Sequence, residues 1–108
     1  MEDVFRTILK LIRNNKVRIS EHGYQRAYDE DIFIKDIIAS VDKSQIVEEY
    51  PDYPKGPCVL LLQKDSEGIP IHVLWGIPKG KNSPAVLVTA YRPDPYKWQN
   101  NFSTRRKQ

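Results

Sequence analysis

His22 and Arg26 are two residues whose types and spacing could do chemistry. They lie four residues apart within ISEHGYQRAYDED, residues 19–31, and residues four apart on a helix are neighbours on one face. A histidine can act as a general acid or base near neutral pH, and an arginine offers donors that match phosphate oxygens. The pair therefore suits phosphodiester chemistry, and a purely local hydrogen-bonding role on the polar side of a small helix is the alternative.

His72 is the other histidine of the chain, and it lies in PIHVLWG, a segment that predicts a strand. Alternation along a strand places neighbouring side chains on opposite faces, here His72 and Leu74 against Ile71, Val73 and Trp75. An imidazole within an apolar strand needs a polar partner or an open cleft. His72 is therefore either a second reactive histidine or a hydrogen-bonded core residue.

Two histidines and one arginine suffice for RNA cleavage without a metal ion. One of His22 and His72 would deprotonate the ribose 2′-hydroxyl, the other would protonate the leaving 5′-oxygen, and Arg26 would stabilise the phosphorane. Tyr91 ends the segment AVLVTAY, on the face predicted for Leu87 and Thr89. Its phenol can contact a phosphate or stack on a base, or it can close a core. We predict His22, Arg26, His72 and Tyr91 as the catalytic residues.

The C-terminal segment carries the basic excess of the chain. Residues 1–91 contain 12 basic and 13 acidic residues, whereas residues 92–108 contain five basic residues and one acidic residue. Basic tails often contact phosphate backbones, so we predict RNA contacts by Arg92, Lys97, Arg105 and Arg106. The alternative for the basic residues is a solvated tail that contacts no RNA. The alternative for the aromatic residues of the tail is packing against the protein rather than stacking on bases.

The hydrophobic periodicity predicts which elements position these residues. Helices are expected over residues 3–14, from the N-cap Ser20 to about Tyr28, and over about residues 30–40, with a short strand or extended link at KVRIS. Four strands follow, QIVEEY, CVLLLQK, IPIHVLWGI and AVLVTAY, separated by turns rich in Pro and Gly. This order predicts an α+β fold in which N-terminal helices pack on a four-stranded antiparallel sheet. We expect one domain over residues 1–98 and a flexible basic tail over residues 99–108.

The composition excludes several classes of protein. With 108 residues, 40% hydrophobic and 29% charged, the chain fits one globular domain rather than a disordered one. The lone Cys58 excludes an internal disulfide and a thiolate zinc cluster. No apolar stretch has the length of a membrane span, and the amphipathic N-terminus does not resemble a signal peptide. We expect a cytoplasmic protein that needs no metal ion and no cofactor.

The order and spacing of several segments resemble one known family. These segments are the His followed four residues later by Arg, then EEYPDYPKGPCVLLL, IHV and TAYRPDPYKW, and together they span about residues 17–98. They resemble the family catalogued as domain of unknown function 4258. That family is similar to small RelE-like and barnase-like ribonuclease toxins, which implies an antitoxin partner and the same catalytic residues, His22, Arg26, His72 and Tyr91.

The leading hypothesis is a metal-independent endoribonuclease of toxin–antitoxin type. Its predicted partners are RNA and a cognate antitoxin protein, with no membrane and no small-molecule cofactor. The alternative hypothesis is a non-catalytic module of the same fold that binds RNA or protein through its sheet and its basic tail. A purely structural interaction protein is a third possibility, and it would have both histidines buried and satisfied.

Overall fold

The structure, a computed structural model, describes residues 3–107 as an α+β fold. The helices are α1 (Val4–Arg13), α2 (Glu21–Asp29) and α3 (Ile34–Ser40), and a short 3₁₀ turn (Val41–Lys43) follows α3. The strands are β1 (Val17–Ile19), β2 (Gln45–Tyr50), β3 (Cys58–Lys64), β4 (Pro70–Gly76) and β5 (Ala85–Tyr91). Across residues 3–107, none of the helices combines the length and the apolar character that crossing a membrane requires.

The strands form one mixed sheet in the order β1-β5-β4-β3-β2. Strands β2 to β5 are antiparallel neighbours, as predicted, but β1 adds a fifth strand that runs parallel to β5, from Val17 opposite Ala85 to Ile19 opposite Leu87. The α+β class is confirmed, and the prediction of four antiparallel strands is wrong. The strand β1 is only three residues long, and its partner β5 is distant in sequence. The local sequence pattern therefore did not predict that β1 pairs with β5.

A β-bulge in β5 reverses the alternation of its side chains. Thr89 lies opposite Leu74, but Leu87 lies opposite Trp75, so Val88 is an extra residue on β5. Leu87 therefore belongs to the face that the helices cover, whereas Thr89 and Tyr91 belong to the other face. The prediction that Tyr91 shares a face with Leu87 is wrong for this reason.

The helices cover one face of the sheet, which we call the helix face. Its core side chains include Val59 and Leu61 of β3 and Val73 and Trp75 of β4, together with apolar side chains of all three helices. The buried polar side chain of Gln63 has hydrogen-bond partners there, Ser40 among them at 2.9 Å. Its amide donates to the carbonyl of Ile37 at 2.6 Å and its oxygen accepts from the Trp75 indole at 3.1 Å. The helix face is thus a closed core.

A C-terminal hairpin covers part of the opposite face, which we call the open face. The hairpin spans residues 97–106, and backbone bonds join Gln99 to Thr104 and Arg106 to Lys97, each at 2.8 Å. Trp98 is only 3% exposed, because its ring lies against the imidazole of His72 on β4. Most of the predicted tail, residues 99–108, thus belongs to a hydrogen-bonded hairpin. Its flexibility stays a prediction.

Candidate functional site

Ser20 fixes the start of α2 on the bulge of β5. As predicted, it is the N-cap, and its hydroxyl oxygen accepts from the Gly23 amide at 2.9 Å. The same hydroxyl donates to the Val88 carbonyl at 3.0 Å, and the Ser20 amide donates to the Leu87 carbonyl at 3.1 Å. The orientation of the first turn of α2, which carries His22, is therefore set by the bulge.

Gly23 allows α2 to approach β5 closely. A Cβ at this position would lie 2.7 Å from both the side chain and the carbonyl oxygen of Leu87, which is closer than non-bonded heavy atoms approach a Cβ. Gly23 is buried in this contact, while His22 beside it is exposed. Gly23 thus lets the first turn of α2, which carries His22, lie directly against β5.

His22 lines a cavity of about 390 Å³ on the open face, which we call the His22 cavity. The other ionisable nitrogen groups on its wall are Arg18 from β1 and Lys55 from the loop between β2 and β3. Among residues 3–107, no Asp or Glu lines this cavity. Cys58 also lines it, and burial raises the pKa of that thiol. The cavity therefore places cationic groups around an imidazole, an environment that attracts an anion.

Arg26, one helical turn beyond His22 on α2, meets Tyr91 at the end of β5. The guanidinium carbon of Arg26 lies 5.9 Å from the centre of the Tyr91 ring, a cation–π distance. Arg26 also pairs with Glu30 at 3.5 Å, and both side chains are partly exposed, so the pair is weak. Arg26 thus points across the end of β5, where an incoming phosphate can compete with Glu30.

His72 is fully buried behind Tyr91. Its Nε2 lies 2.6 Å from the Phe102 carbonyl, which can only accept, so Nε2 carries the proton. Nδ1 is then an acceptor, and the Tyr91 hydroxyl donates to it at 3.3 Å. Burial lowers the pKa of His72 and raises the pKa of Tyr91. Both groups are therefore neutral at pH 7, and the Tyr91 oxygen keeps its lone pairs for another donor.

Of the four predicted catalytic residues, His22, Arg26 and Tyr91 are at least partly exposed, whereas His72 is buried on the open face beneath the hairpin. His22, Arg26 and Tyr91 lie along the contact between α2 and β5, and His22 is exposed in its cavity. His72 does not line the His22 cavity, and both of its ring nitrogens have partners. Its geometry is that of a residue that orients the Tyr91 hydroxyl.

The predicted RNA-contacting residues have different surroundings. Arg92 pairs with Asp65 at 2.9 Å and so ties the end of β5 to the turn after β3. Arg106 donates to the Pro95 carbonyl at 2.7 Å within the hairpin region, and Lys97 is exposed. Of the four, Arg105 lines a cavity on the open face.

That second cavity has a volume of about 150 Å³, and we call it the tyrosine cavity. Its lining residues come from all four antiparallel strands, one loop and the hairpin: Tyr50, Tyr53, Leu60, Leu74, Thr89, Tyr91 and Arg105. Tyr53 lines this cavity and the His22 cavity. Sequence reasoning missed Tyr50, Tyr53, Arg18 and Lys55. Alternation on β2 could have placed Tyr50, but the loop residue Tyr53 gave no periodic signal.

Glu48 is the carboxylate that pairs with Arg105 of the tyrosine cavity, so its negative charge is compensated. It accepts two hydrogen bonds from Arg105, at 2.8 and 2.9 Å, and one from the Tyr50 hydroxyl. The Arg105 hydrogen bond holds the pKa of Glu48 below its ordinary value, whereas burial and Glu48 raise the pKa of Tyr50 to about 12. Within residues 3–107, no group of three or more His, Cys, Asp or Glu side chains is placed to hold a metal ion.

The comparisons with known proteins identify a family. Residues 19–92 match the family described as Domain of unknown function (DUF4258). No curated protein and no solved structure matches the chain. The matched region begins just before the Ser20 cap and ends just after Tyr91, so it includes α2, the antiparallel strands and all four predicted catalytic residues. The chain therefore belongs to the DUF4258 family.

Proposed function

We propose that this protein is a metal-independent endoribonuclease that holds RNA on its open face. The observation that supports this most is the His22 cavity, in which an exposed imidazole lies among the cationic groups of Arg18 and Lys55. Such a cavity concentrates the negative charge of a phosphodiester next to an acid–base group. Arg26 lies one helical turn from His22 on α2, against Tyr91, and supplies a further cation.

The proposed reaction uses the 2′-hydroxyl of the RNA itself. His22 takes the proton of this hydroxyl, and the oxygen attacks the adjacent phosphorus. The bond from phosphorus to the 5′-oxygen breaks, and the leaving oxygen receives a proton from the His22 imidazolium. The products are a 2′,3′-cyclic phosphate and a 5′-hydroxyl. Arg26 stabilises the phosphorane, and the Tyr91 oxygen accepts a hydrogen bond from a ribose hydroxyl.

His72 has a positioning role in this proposal. Its Nε2 proton is committed to the Phe102 carbonyl, and its Nδ1 receives the Tyr91 proton. A neutral, buried imidazole with both nitrogens engaged is a poor proton donor for a leaving group. The proposal therefore assigns acid–base chemistry to His22 and leaves His72 to orient Tyr91. It differs from the sequence-based prediction, in which the two histidines share the proton transfers.

The test is RNA cleavage in the presence of EDTA by the intact chain and by His22→Ala. General acid–base catalysis by a side chain contributes roughly 10²–10⁴-fold, so His22→Ala should lower kcat by at least about 100-fold. Gln25→Ala is the matched control, because Gln25 is exposed on the same helix and bonds only Asp29 among the described residues. Undiminished cleavage by His22→Ala would refute the assignment.

We also propose that the enzyme is a toxin of the RelE-like or barnase-like kind and that a cognate antitoxin restrains it. This follows from the family resemblance. The exposed aromatic side chains of Tyr24 and Tyr28 on α2, and of Phe33 just before α3, offer a surface for a protein partner. In the same assay, the product of the reading frame beside its gene should suppress cleavage by the purified protein.

The second candidate function is a non-catalytic RNA-binding module, and the sequestered state of His72 favours it. A single exposed histidine can be a phosphate contact rather than an acid–base group. This candidate predicts RNA binding without turnover, with an affinity whose salt dependence weakens when Arg105, Arg106 and Lys107 are replaced. The same assay separates the two functions, because only the enzyme produces a cyclic phosphate.

A further inference from the structure

We infer that the tyrosine cavity is a nucleobase subsite that seats one base of the RNA. The inference rests on the proposed function in one respect, which is that the adjacent cationic groups hold the phosphate backbone. Of the residues that line the cavity, Tyr91 alone has a role in the proposed reaction, as a hydrogen-bond acceptor.

The shape of the cavity suits a flat ring. Leu60 and Leu74 lie opposite each other on β3 and β4, and Thr89 of β5 lies opposite Leu74, so these side chains form a continuous floor. Tyr50 and Tyr53 stand at one side of the floor, and Tyr91 stands at another. Aromatic rings around an apolar floor favour a ligand with flat apolar faces, and base–aromatic stacking is the common way to hold an unpaired base.

The polar groups of the cavity suit the edge of a base. Arg105 lies on the wall of the cavity. It is held in place by two hydrogen bonds to Glu48 and by the Trp98 ring, whose centre lies 4.6 Å from the guanidinium carbon. Thr89 adds a hydroxyl that can donate or accept. Because Arg105 neutralises Glu48, the cavity does not repel a polyanion. It should prefer a base edge that presents acceptors, such as the O6 and N7 of guanine.

The location of the cavity places a base next to a phosphate. Tyr53 lines both this cavity and the His22 cavity, so the two are neighbours across one side chain. Tyr91 lines the tyrosine cavity while its ring contacts Arg26. A nucleotide could thus have its base on the leucine floor and its phosphate among His22, Arg18 and Lys55. An apolar side chain of a protein partner would gain nothing from that cationic neighbour.

The experiment compares ligands with and without a base. The intact protein is titrated with the four nucleoside 5′-monophosphates and with ribose 5-phosphate, and binding is followed by calorimetry and by NMR chemical shifts. Stacking on aromatic side chains should make the preferred nucleotide bind at least about tenfold more tightly than ribose 5-phosphate. The shifts should move at Leu74 and Thr89 for the nucleotides and not for ribose 5-phosphate.

Variants of the cavity provide the second arm. Tyr53→Leu should remove most of the preference for nucleotides, Tyr53→Phe should keep it, and Leu74→Phe should block it by filling the floor. Tyr53 lies in an exposed loop, so its variants should fold even if Leu74→Phe does not. Tyr96→Leu is the control, because Tyr96 is 86% exposed and does not line the cavity.

The outcomes separate this inference from the proposed function. Equal affinities for nucleotides and ribose 5-phosphate, or a preference that Tyr53→Leu leaves intact, overturn the nucleobase subsite even if cleavage depends on His22. A nucleotide preference that is lost in Tyr53→Leu supports the subsite. If His22→Ala then cleaves RNA at the native rate, the proposed catalysis fails while the subsite remains.

Discussion

The two faces of the sheet are built from the same strands but have opposite character. On the helix face, Leu61, Val73 and Trp75 are fully buried against the helices, and the polar side chain of Gln63 has its partners within the core. On the open face, alternate residues of the same strands line two cavities, and the cover is a hairpin held by Trp98 and Arg105. The closed core and the two cavities thus lie on opposite faces of the sheet.

This difference shows how alternation along a strand places neighbouring residues in different surroundings, one in the core and the next on the wall of a cavity. Leu61 on β3 supports the core, whereas its neighbour Leu60 forms the floor of a cavity. On β4, Val73 belongs to the core, whereas the Nδ1 of His72 accepts a hydrogen bond from the Tyr91 hydroxyl. Substitutions in the core of the helix face should therefore affect mainly stability, and substitutions of partly exposed residues that line the open-face cavities should affect mainly ligand binding.

The largest expected effect is a loss of stability on the helix face. Leu61→Ala leaves a void in a fully buried site and should lower the free energy of unfolding by about 2–5 kcal/mol. Leu74→Ala is the matched change on the open face, and it should cost less because Leu74 is half-buried beside a cavity. Urea denaturation measures both costs. In the still-folded fraction, nucleotide binding should fall only in Leu74→Ala.

Equal costs for the two leucine variants would contradict this division. They would indicate that the hairpin closes the open face as completely as the helices close the other. A loss of nucleotide binding in correctly folded Leu61→Ala would contradict it as well, because Leu61 lines neither of the two open-face cavities.

The periodic spacing of apolar residues predicted the helix face well, because it identifies the side chains that are buried in the core. The apolar spacing of Ile8, Leu11 and Ile12 predicted a helix over residues 3–14, and α1 spans Val4–Arg13. The four strand segments bounded by Pro and Gly became β2 to β5. What could not be predicted is non-local. The strand β1 depends on pairing with β5, and the bulge at Val88 depends on the register between β4 and β5.

The candidate site was predicted in its residue types but not in their arrangement. The spacing of His22 and Arg26 is a local property of one helix, and both residues lie on α2 as expected. The burial of His72 depends on the hairpin of residues 97–106, which is distant from it in sequence. Within this hairpin, Phe102 takes a left-handed conformation with φ of 56°. Tyr53 and Lys55 reach the cavities from a loop without periodicity, so no pattern identified them.

The second prediction concerns His72, whose pKa is lowered by burial. Between that lowered value and the ordinary value of 6.5, the unfolded chain binds a proton that the folded chain does not. The contribution of His72 to stability is therefore complete above pH 6.5 and is lost as the pH falls below it, with a slope of at most about 1.4 kcal/mol per pH unit. Urea denaturation at a series of pH values measures this slope.

His72→Gln provides the comparison for this slope. Glutamine can still donate a hydrogen bond near the Phe102 carbonyl but does not titrate, so the fall in stability that begins near pH 6.5 should flatten in the variant. Losses that begin at lower pH should persist, because the pKa values of Glu48 and Asp65 are also lowered, from 4.5 and 3.8. A slope that is unchanged in His72→Gln would show that another group causes it.

The smallest expected effect is the coupling between Glu48 and Arg105, which fastens the hairpin to β2. Arg105 is more than half exposed, so solvent screening limits the pair to about 0.2–1 kcal/mol despite its two hydrogen bonds. A double-mutant cycle with Glu48→Gln and Arg105→Gln, measured by urea denaturation, isolates this coupling. The two single variants should nevertheless differ in nucleotide binding, because Arg105→Gln removes the donor on the wall of the tyrosine cavity whereas Glu48→Gln leaves that donor in place. A coupling well above this range would mean that the hairpin is held as firmly as the helices, and the contrast between the two faces would then lie in their cavities and not in the strength of their covers.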